Sequence, residues 1–167
     1  MYDSSFVRID SPIPSANALL QEKLGGSDRP QDVMFEITHN CNLKCVHCYN
    51  FDRDAPGVSP KASEALSTDE ILRLIDEVVE AGCWNITFTG GEVLLHPDLR
   101  KFIKRAREHS CVVTLKTNGL LLSDKVAKEM ADLGVSTVWI SLYGAKAKTH
   151  DEFSAARGSF AKTVQAC

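Results

Sequence analysis

Three cysteines have the clearest chemistry in this sequence, namely Cys41, Cys45 and Cys48 in the spacing C-x3-C-x2-C. They directly follow a short apolar run at residues 33–37, which predicts a loop after a strand. Zinc sites usually have four protein ligands, commonly two C-x2-C pairs, and no second pair is present. Tightly spaced thiolates also hold cubane iron–sulfur clusters, whose full ligation takes four cysteines. Three thiolates would leave one iron open, which is typical of a site that binds a further ligand.

Further polar and glycine-rich motifs follow later strands that the sequence predicts. They are Gly90-Gly91-Glu92 after the second strand, Thr117-Asn118-Gly119 at the end of the third, and Ser141 near the end of the fourth. Two adjacent glycines allow backbone groups to approach a ligand closely. Ligands of parallel α/β folds bind at the carboxyl ends of the strands. We therefore expect four loops to meet on one rim.

The elements that must position these loops alternate between strands and helices. The predicted strands span residues 33–38, 85–89, 112–117 and 137–142, and a capping box at Ser67 and Glu70 begins the first helix. Further helices are predicted to begin near Pro97, Ser123 and Ser159. A short helix is possible at 16–24, and residues 51–66 read as a long loop. This alternation predicts an α/β fold with a parallel sheet.

On these motifs the chain resembles the radical S-adenosylmethionine (radical SAM) enzymes, whose signature is C-x3-C-x2-C after the first barrel strand. The resemblance implies a [4Fe-4S] cluster on Cys41, Cys45 and Cys48, with SAM chelated to the open iron through its amino and carboxylate groups. It also implies a partial parallel (β/α) barrel similar to a TIM barrel. About four of the usual six β/α units are present, so we expect an incomplete core domain at 31–167 behind an N-terminal extension at 1–30.

The resemblance also suggests which residues contact SAM. The G-G-E motif, here followed by Val93 where the family commonly has proline, would receive the ammonium group, and His47 would lie against the adenine. The implied SAM-binding residues are His47, Gly90, Gly91, Glu92, Thr117, Asn118 and Ser141. From the residues alone, other interpretations stay open. His47 could be a fourth metal ligand, Asn118-Gly119 an ordinary turn, and Ser141 a partner for nearby backbone.

A motif after the fourth strand indicates which groups of radical SAM enzymes the chain resembles most. His150-Asp151, Phe153 and Gly158-Ser159-Phe160 are similar to a connection found in haem-pathway radical SAM enzymes and in peptide-maturing ones with a C-terminal SPASM extension. Arg157 would then pair with a carboxylate of SAM or substrate, or else lie on the surface. We expect the substrate to be a peptide or protein side chain, with tetrapyrrole or other cofactor precursors next.

The bulk composition sets limits on partners and location. The 167 residues carry a net charge of −3, which gives no electrostatic case for nucleic acid or an anionic membrane. Six cysteines without an export signal favour a reducing cytoplasm. The resemblance to radical SAM enzymes implies an oxidoreductase that cleaves SAM reductively to a 5′-deoxyadenosyl radical for hydrogen abstraction, with an electron donor such as flavodoxin or ferredoxin. No catalytic side chain is assigned. The alternatives are a zinc-binding module and a half-barrel that binds a partner through its open edge.

Overall fold

A computed structural model describes residues 29–49 and 66–167 of the chain. The strands are β1 (Asp32–Glu36), β2 (Asn85–Thr89), β3 (Val112–Thr117) and β4 (Thr137–Ile140). The helices are α1 (Thr68–Glu80), α2 (Leu99–Glu108), α3 (Asp124–Asp132), α4 (Ala147–Ser154) and α5 (Ser159–Ala166), with a 3₁₀ turn at Val93–Leu95. The predicted α/β class is confirmed. The possible helix at 16–24 and nearly all of the loop at 51–66 lie outside the described residues.

The four strands form one open parallel sheet in the order β1-β2-β3-β4. Their carboxyl ends lie level, because Glu36 pairs with Thr89 at one side and Thr117 with Ile140 at the other. Parallel strands joined by helices place every strand-to-helix loop at the same end of the sheet. The predicted meeting of the four loops therefore follows from the topology.

One face of the sheet is buried beneath the helices. Ile86 and Phe88 of β2 are fully buried and share a core with Ile75 of α1 and Phe102 of α2. The apolar stripes that the sequence predicts on these two helices are the ones that face the sheet. The core thus fixes the sheet from behind and leaves the loop end of the strands accessible.

The two predicted side-chain caps, at Ser67 and Ser123, are present at the starts of α1 and α3. Ser67 accepts a hydrogen bond from the Glu70 backbone N–H, and the Glu70 carboxylate accepts one from the Ser67 N–H, which completes the capping box of α1. Ser123 Oγ accepts from the Val126 N–H at the start of α3. No described helix has the length and apolar character needed to cross a bilayer.

Two predicted strand ends are wrong, and one helix was missed. The first strand ends at Glu36 rather than at residue 38, because the Thr38 carbonyl accepts a hydrogen bond from Gly91 N–H in the loop after β2 rather than from a residue of β2. The fourth ends at Ile140 rather than at 142. Helix α4 has no side-chain cap, and its buried residues, His150 and Ser154, are polar, so it lacks the apolar periodicity of a predictable helix.

Candidate functional site

Residues from the loops after all four strands line a single cavity of about 220 Å³. The predicted site residues that line it are Cys41, Cys45, His47, Cys48, Gly90, Gly91, Thr117, Asn118 and Ser141. Glu92 is the one predicted site residue that does not line it. Side chains brought together from sequence positions 41 to 141 thus share one space at the carboxyl end of the sheet.

The three signature cysteines lie on a short loop, are partly buried and form no disulfide. A turn closed by the Cys48 N–H on the Cys45 carbonyl, at 3.1 Å, brings these two residues together. The Leu43 N–H points at Cys41 Sγ at 3.4 Å. Burial, and then the neighbouring Cys41 and Cys48, raise the pKa of the Cys45 thiol. Bound iron would offset this cost, since metal coordination stabilises thiolates.

Three thiol donors that form no disulfide and line one cavity match the donor set of the implied cluster. Among the described residues, no three His, Cys, Asp or Glu side chains are grouped so as to hold one metal ion. The three cysteines nevertheless line the same cavity. A cubane contains several irons and sulfides, so its thiolate ligands lie further apart than the ligands of one zinc ion. The residues present therefore fit the implied group.

The imidazole of His47 packs against two aromatic rings. Its imidazole meets the Tyr143 ring edge-on, with 4.5 Å between ring centres, and lies 5.6 Å from the ring of Phe153. The neighbouring Val46 N–H donates to the Phe153 carbonyl at 2.9 Å. The cysteine loop is therefore attached to the end of α4 by both backbone and side-chain contacts.

Gly90 and Gly91 allow the loop after β2 to touch the backbone that leads into the cysteine loop. Gly91 N–H donates to the Thr38 carbonyl at 2.7 Å, and Glu92 N–H donates to the Asn40 carbonyl at 2.8 Å. A Cβ on Gly91 would stand 2.3 Å from the Asn40 carbonyl oxygen, and Gly90 has a φ of +137°. The close approach expected of this motif is thus made to the protein's own chain.

The carboxylate of Glu92 is fully buried and accepts three hydrogen bonds from protein donors. Oε1 accepts from the Leu94 N–H at 3.1 Å and from Thr117 Oγ1 at 2.7 Å. Oε2 accepts from the Asn118 N–H at 2.8 Å. Glu92 therefore caps the 3₁₀ turn and connects the loop after β2 to the loop after β3.

Every polar atom of Asn118 has a hydrogen-bond partner. Besides the N–H that reaches Glu92, its Nδ2 donates to Asn42 Oδ1 at 2.7 Å and its Oδ1 accepts from the Leu120 N–H at 3.0 Å. The carbonyl oxygen accepts from Thr163 Oγ1 at 3.1 Å. Through Asn42 this residue is connected to the cysteine loop, so the turn at Asn118 also joins three separate segments.

The cavity is also lined by residues that no sequence motif indicated, including Glu36, Tyr49, Lys116 and Tyr143. Burial, followed by a 2.6 Å hydrogen bond to Glu36, raises the pKa of Tyr49 to about 12. Lys116 Nζ lies 5.0 Å from the centre of the Trp139 ring. Alternation along β1 and β3 could have identified Glu36 and Lys116, since both face away from the apolar core next to the strand ends. Arg157 is exposed and does not line the cavity.

Comparison with known proteins agrees with this geometry. The profile of the radical SAM superfamily matches residues 35–167. An AdoMet-dependent heme synthase of Methanosarcina barkeri is 36% identical over 138 residues, covering 83% of this chain and 38% of that protein. A PqqA peptide cyclase of Rhodopseudomonas palustris is 33% identical over 135 residues, covering 81% of this chain and 34% of that protein. The chain thus spans about a third of the length of these relatives.

Solved structures share the fold. The crystal structure of Streptococcus suis SuiB bound to the precursor peptide SuiA has a TM-score of 0.68 at 18% identity, covering 99% of this chain and 37% of that one. SuiB bound to S-adenosylmethionine has a TM-score of 0.65 at 17% identity, covering 89% and 31%. With a family profile that matches most of its length, the chain belongs to the radical SAM superfamily.

Proposed function

We propose that this chain carries the cluster- and SAM-binding part of a radical SAM enzyme. The observation that supports this most is the cavity at the carboxyl end of the sheet, where the three signature cysteines lie beside loops from all the other described strands. Bound there, the cluster and SAM would supply one-electron reductive cleavage of SAM and, through it, hydrogen abstraction from a substrate.

The residues of the chain would hold and orient these groups. Cys41, Cys45 and Cys48 would ligate the [4Fe-4S] cluster. Backbone groups of Gly90 and Gly91 would receive the methionyl end of SAM. Polar contacts would come from Thr117, Asn118 and Ser141, and the ring of His47, packed on Tyr143, would lie against the adenine. Glu92 would act through its hydrogen bonds to Thr117 and Asn118, which fix the loop after β3. Holding reactants in one geometry is the protein's main contribution to such chemistry.

We further propose a peptide or protein side chain as substrate, with a tetrapyrrole or another cofactor precursor as the next candidate. The support comes from relatives, which include a heme synthase and a PqqA peptide cyclase, and from the SuiB structure with its precursor peptide. A small iron–sulfur or flavin protein, such as ferredoxin or flavodoxin, would supply the electron.

The test uses full-length protein reconstituted anaerobically with iron and sulfide. We expect roughly four irons per cluster-binding domain, and 5′-deoxyadenosine on addition of SAM and a reductant. Cys45→Ala should lose both the cluster and the product. Cys111→Ala is the matched control, because Cys111 is buried in the core and does not line the cavity. Tetrahedral zinc by X-ray absorption, with no 5′-deoxyadenosine from the wild-type protein, would contradict the proposal.

A further inference from the structure

Two buried polar side chains, His150 and Thr163, form a hydrogen-bonded series behind the cavity, in the two helices that follow β4. His150 of α4 is 1% exposed and Thr163 of α5 is 0% exposed. Neither residue lines the cavity. Burying imidazole and hydroxyl groups is unfavourable unless they are hydrogen-bonded, and these two are bonded to each other and to the loops of the site.

The donors and acceptors of this series can be oriented in one way. His150 Nδ1 accepts from the Tyr143 backbone N–H at 3.2 Å, so a neutral imidazole carries its proton on Nε2. Nε2 faces Thr163 Oγ1 at 3.5 Å and donates to it. The Thr163 hydroxyl in turn donates to the Asn118 carbonyl at 3.1 Å. Hydrogen bonds therefore run from Tyr143 through His150 and Thr163 to Asn118.

The two ends of this hydrogen-bonded series, Tyr143 and Asn118, are in the candidate site. Tyr143 packs against His47 of the cysteine loop, with 4.5 Å between ring centres, and lines the cavity. Asn118 lines it too and donates to Asn42, which follows Cys41. Both ends thus touch the cysteine loop from different strands. The His150–Thr163 pair links them without passing through the cavity, in addition to the direct bond from Ser141 N–H to the Thr117 carbonyl at 3.0 Å.

We propose that His150 is a positioning residue for the SAM site, with Thr163 as its partner. It fixes the loops after β3 and β4 relative to each other, so that Asn118 and Tyr143 present their cavity-facing atoms in a single arrangement. This inference rests on the proposed function, because it concerns the same cavity. The His150-Asp151 motif would thus have a positioning role, in which His150 neither contacts SAM nor takes part in the chemistry.

Two substitutions at position 150 separate the two contacts. In His150→Asn the amide oxygen takes the place of Nδ1 and can still accept from Tyr143 N–H, whereas the contact to Thr163 is lost. In His150→Gln the amide lies near the position of Nε2, so the Thr163 contact is kept and the Tyr143 contact is lost. Asn is one methylene shorter than Gln and leaves the larger void at this buried position, so a loss of packing alone would affect His150→Asn more than His150→Gln.

The readout is the SAM dissociation constant of the reconstituted full-length protein, taken from the change in the EPR spectrum of the reduced cluster on SAM addition. Losing one buried hydrogen bond that positions the site should raise this constant about tenfold in His150→Gln. We expect a smaller rise in His150→Asn, because Tyr143 stays anchored. His109→Gln, at a surface histidine paired with Asp76, should bind SAM like the wild type.

Substitution of Thr163 is a second route to the same answer if the histidine variants do not fold. Thr163→Val removes the hydroxyl at nearly constant volume and should weaken SAM binding, and Thr163→Ser should restore it. Variants that melt at lower temperature but bind SAM with the wild-type constant would overturn the inference and leave only a packing role. A wild-type protein with no SAM-dependent spectrum would contradict the proposed function itself, so the two failures are distinguishable.

Discussion

At the scale of single residues, the residues that are predicted to contact ligands also contact one another. Glu92 and Asn118 are 26 positions apart, and their 2.8 Å hydrogen bond joins two loops before any ligand is considered. The sequence indicated that both residues belong to one site, because each follows a strand of a predicted parallel sheet. It could not indicate that the Glu92 carboxylate is buried, since that depends on how two distant turns pack.

Replacing the buried carboxylate tests this connection. Glu92→Gln puts an amide N–H₂ where the carboxylate accepts from Thr117 and from the backbone N–H groups of Leu94 and Asn118. At least one donor then faces another donor, and we expect a loss of about 1–3 kcal/mol in the free energy of unfolding. Urea denaturation of the full-length protein measures it.

The matched control for this change is Glu129→Gln, because Glu129 forms an exposed pair with Arg100 on the outer surface. Exposed ion pairs contribute at most about 1 kcal/mol, so this variant should lose less stability than Glu92→Gln. Equal losses in the two variants would contradict a structural role for the Glu92 carboxylate.

At the scale of elements, the clearest lesson comes from helix α4, Ala147–Ser154. Helices α1, α2 and α3 were predictable because a capping residue or an apolar stripe marks each of them. Helix α4 begins without a side-chain cap, and its stability depends on tertiary contacts such as the bond from Tyr143 N–H to His150. Periodicity reports only faces that bury apolar side chains, so a helix that buries a histidine and a serine escapes it.

Asp151 connects α4 to α5, and its ionisation should make this connection sensitive to acid. Its carboxylate accepts from Gly158 N–H at 2.6 Å, Phe160 N–H at 2.8 Å and Ser159 Oγ at 3.0 Å. The backbone donors, Gly158 first, lower the pKa of Asp151. A lowered pKa in the folded state stabilises the protein above the ordinary aspartate pKa, and this stabilisation is lost as the pH falls through the lowered value.

Asp151→Asn is the corresponding variant. We expect it to unfold at lower urea concentration than the wild type at neutral pH. The difference should shrink as the pH is taken below about 4, the ordinary range of an aspartate. Unfolding curves recorded from neutral to acidic pH measure this trend. A difference that is the same at every pH would mean that the charge of Asp151 does not contribute.

At the scale of the whole molecule, the sheet has two different faces. Helices cover one, whereas the other leaves Met34 55% exposed and Trp139 58% exposed, with Lys116 between them. The parallel sheet and its site-bearing end could be predicted, because they follow from the alternation of elements. The exposure of Met34 and Trp139 could not, since large apolar side chains on a strand predict burial.

Because every described strand-end loop is hydrogen-bonded to another, cluster binding at one loop should stabilise the whole domain. We expect full-length protein stripped of iron by anaerobic chelation to melt lower than the reconstituted protein by roughly 5 °C or more. Differential scanning calorimetry under anaerobic conditions measures the shift. The Cys45→Ala variant should melt at the same temperature before and after reconstitution, and a shift in that variant would point to iron bound elsewhere.

The bond from Val46 N–H to the Phe153 carbonyl has a consequence for how the protein is made. During synthesis the cysteines leave the ribosome long before Phe153, so their loop lacks this anchor until most of the domain has been translated, even after its contacts to Gly91, Glu92 and Asn118 can form. Iron–sulfur delivery to a nascent chain would then meet a loop that is only partly fixed. We expect assembly factors to act late, after α4 has emerged and docked.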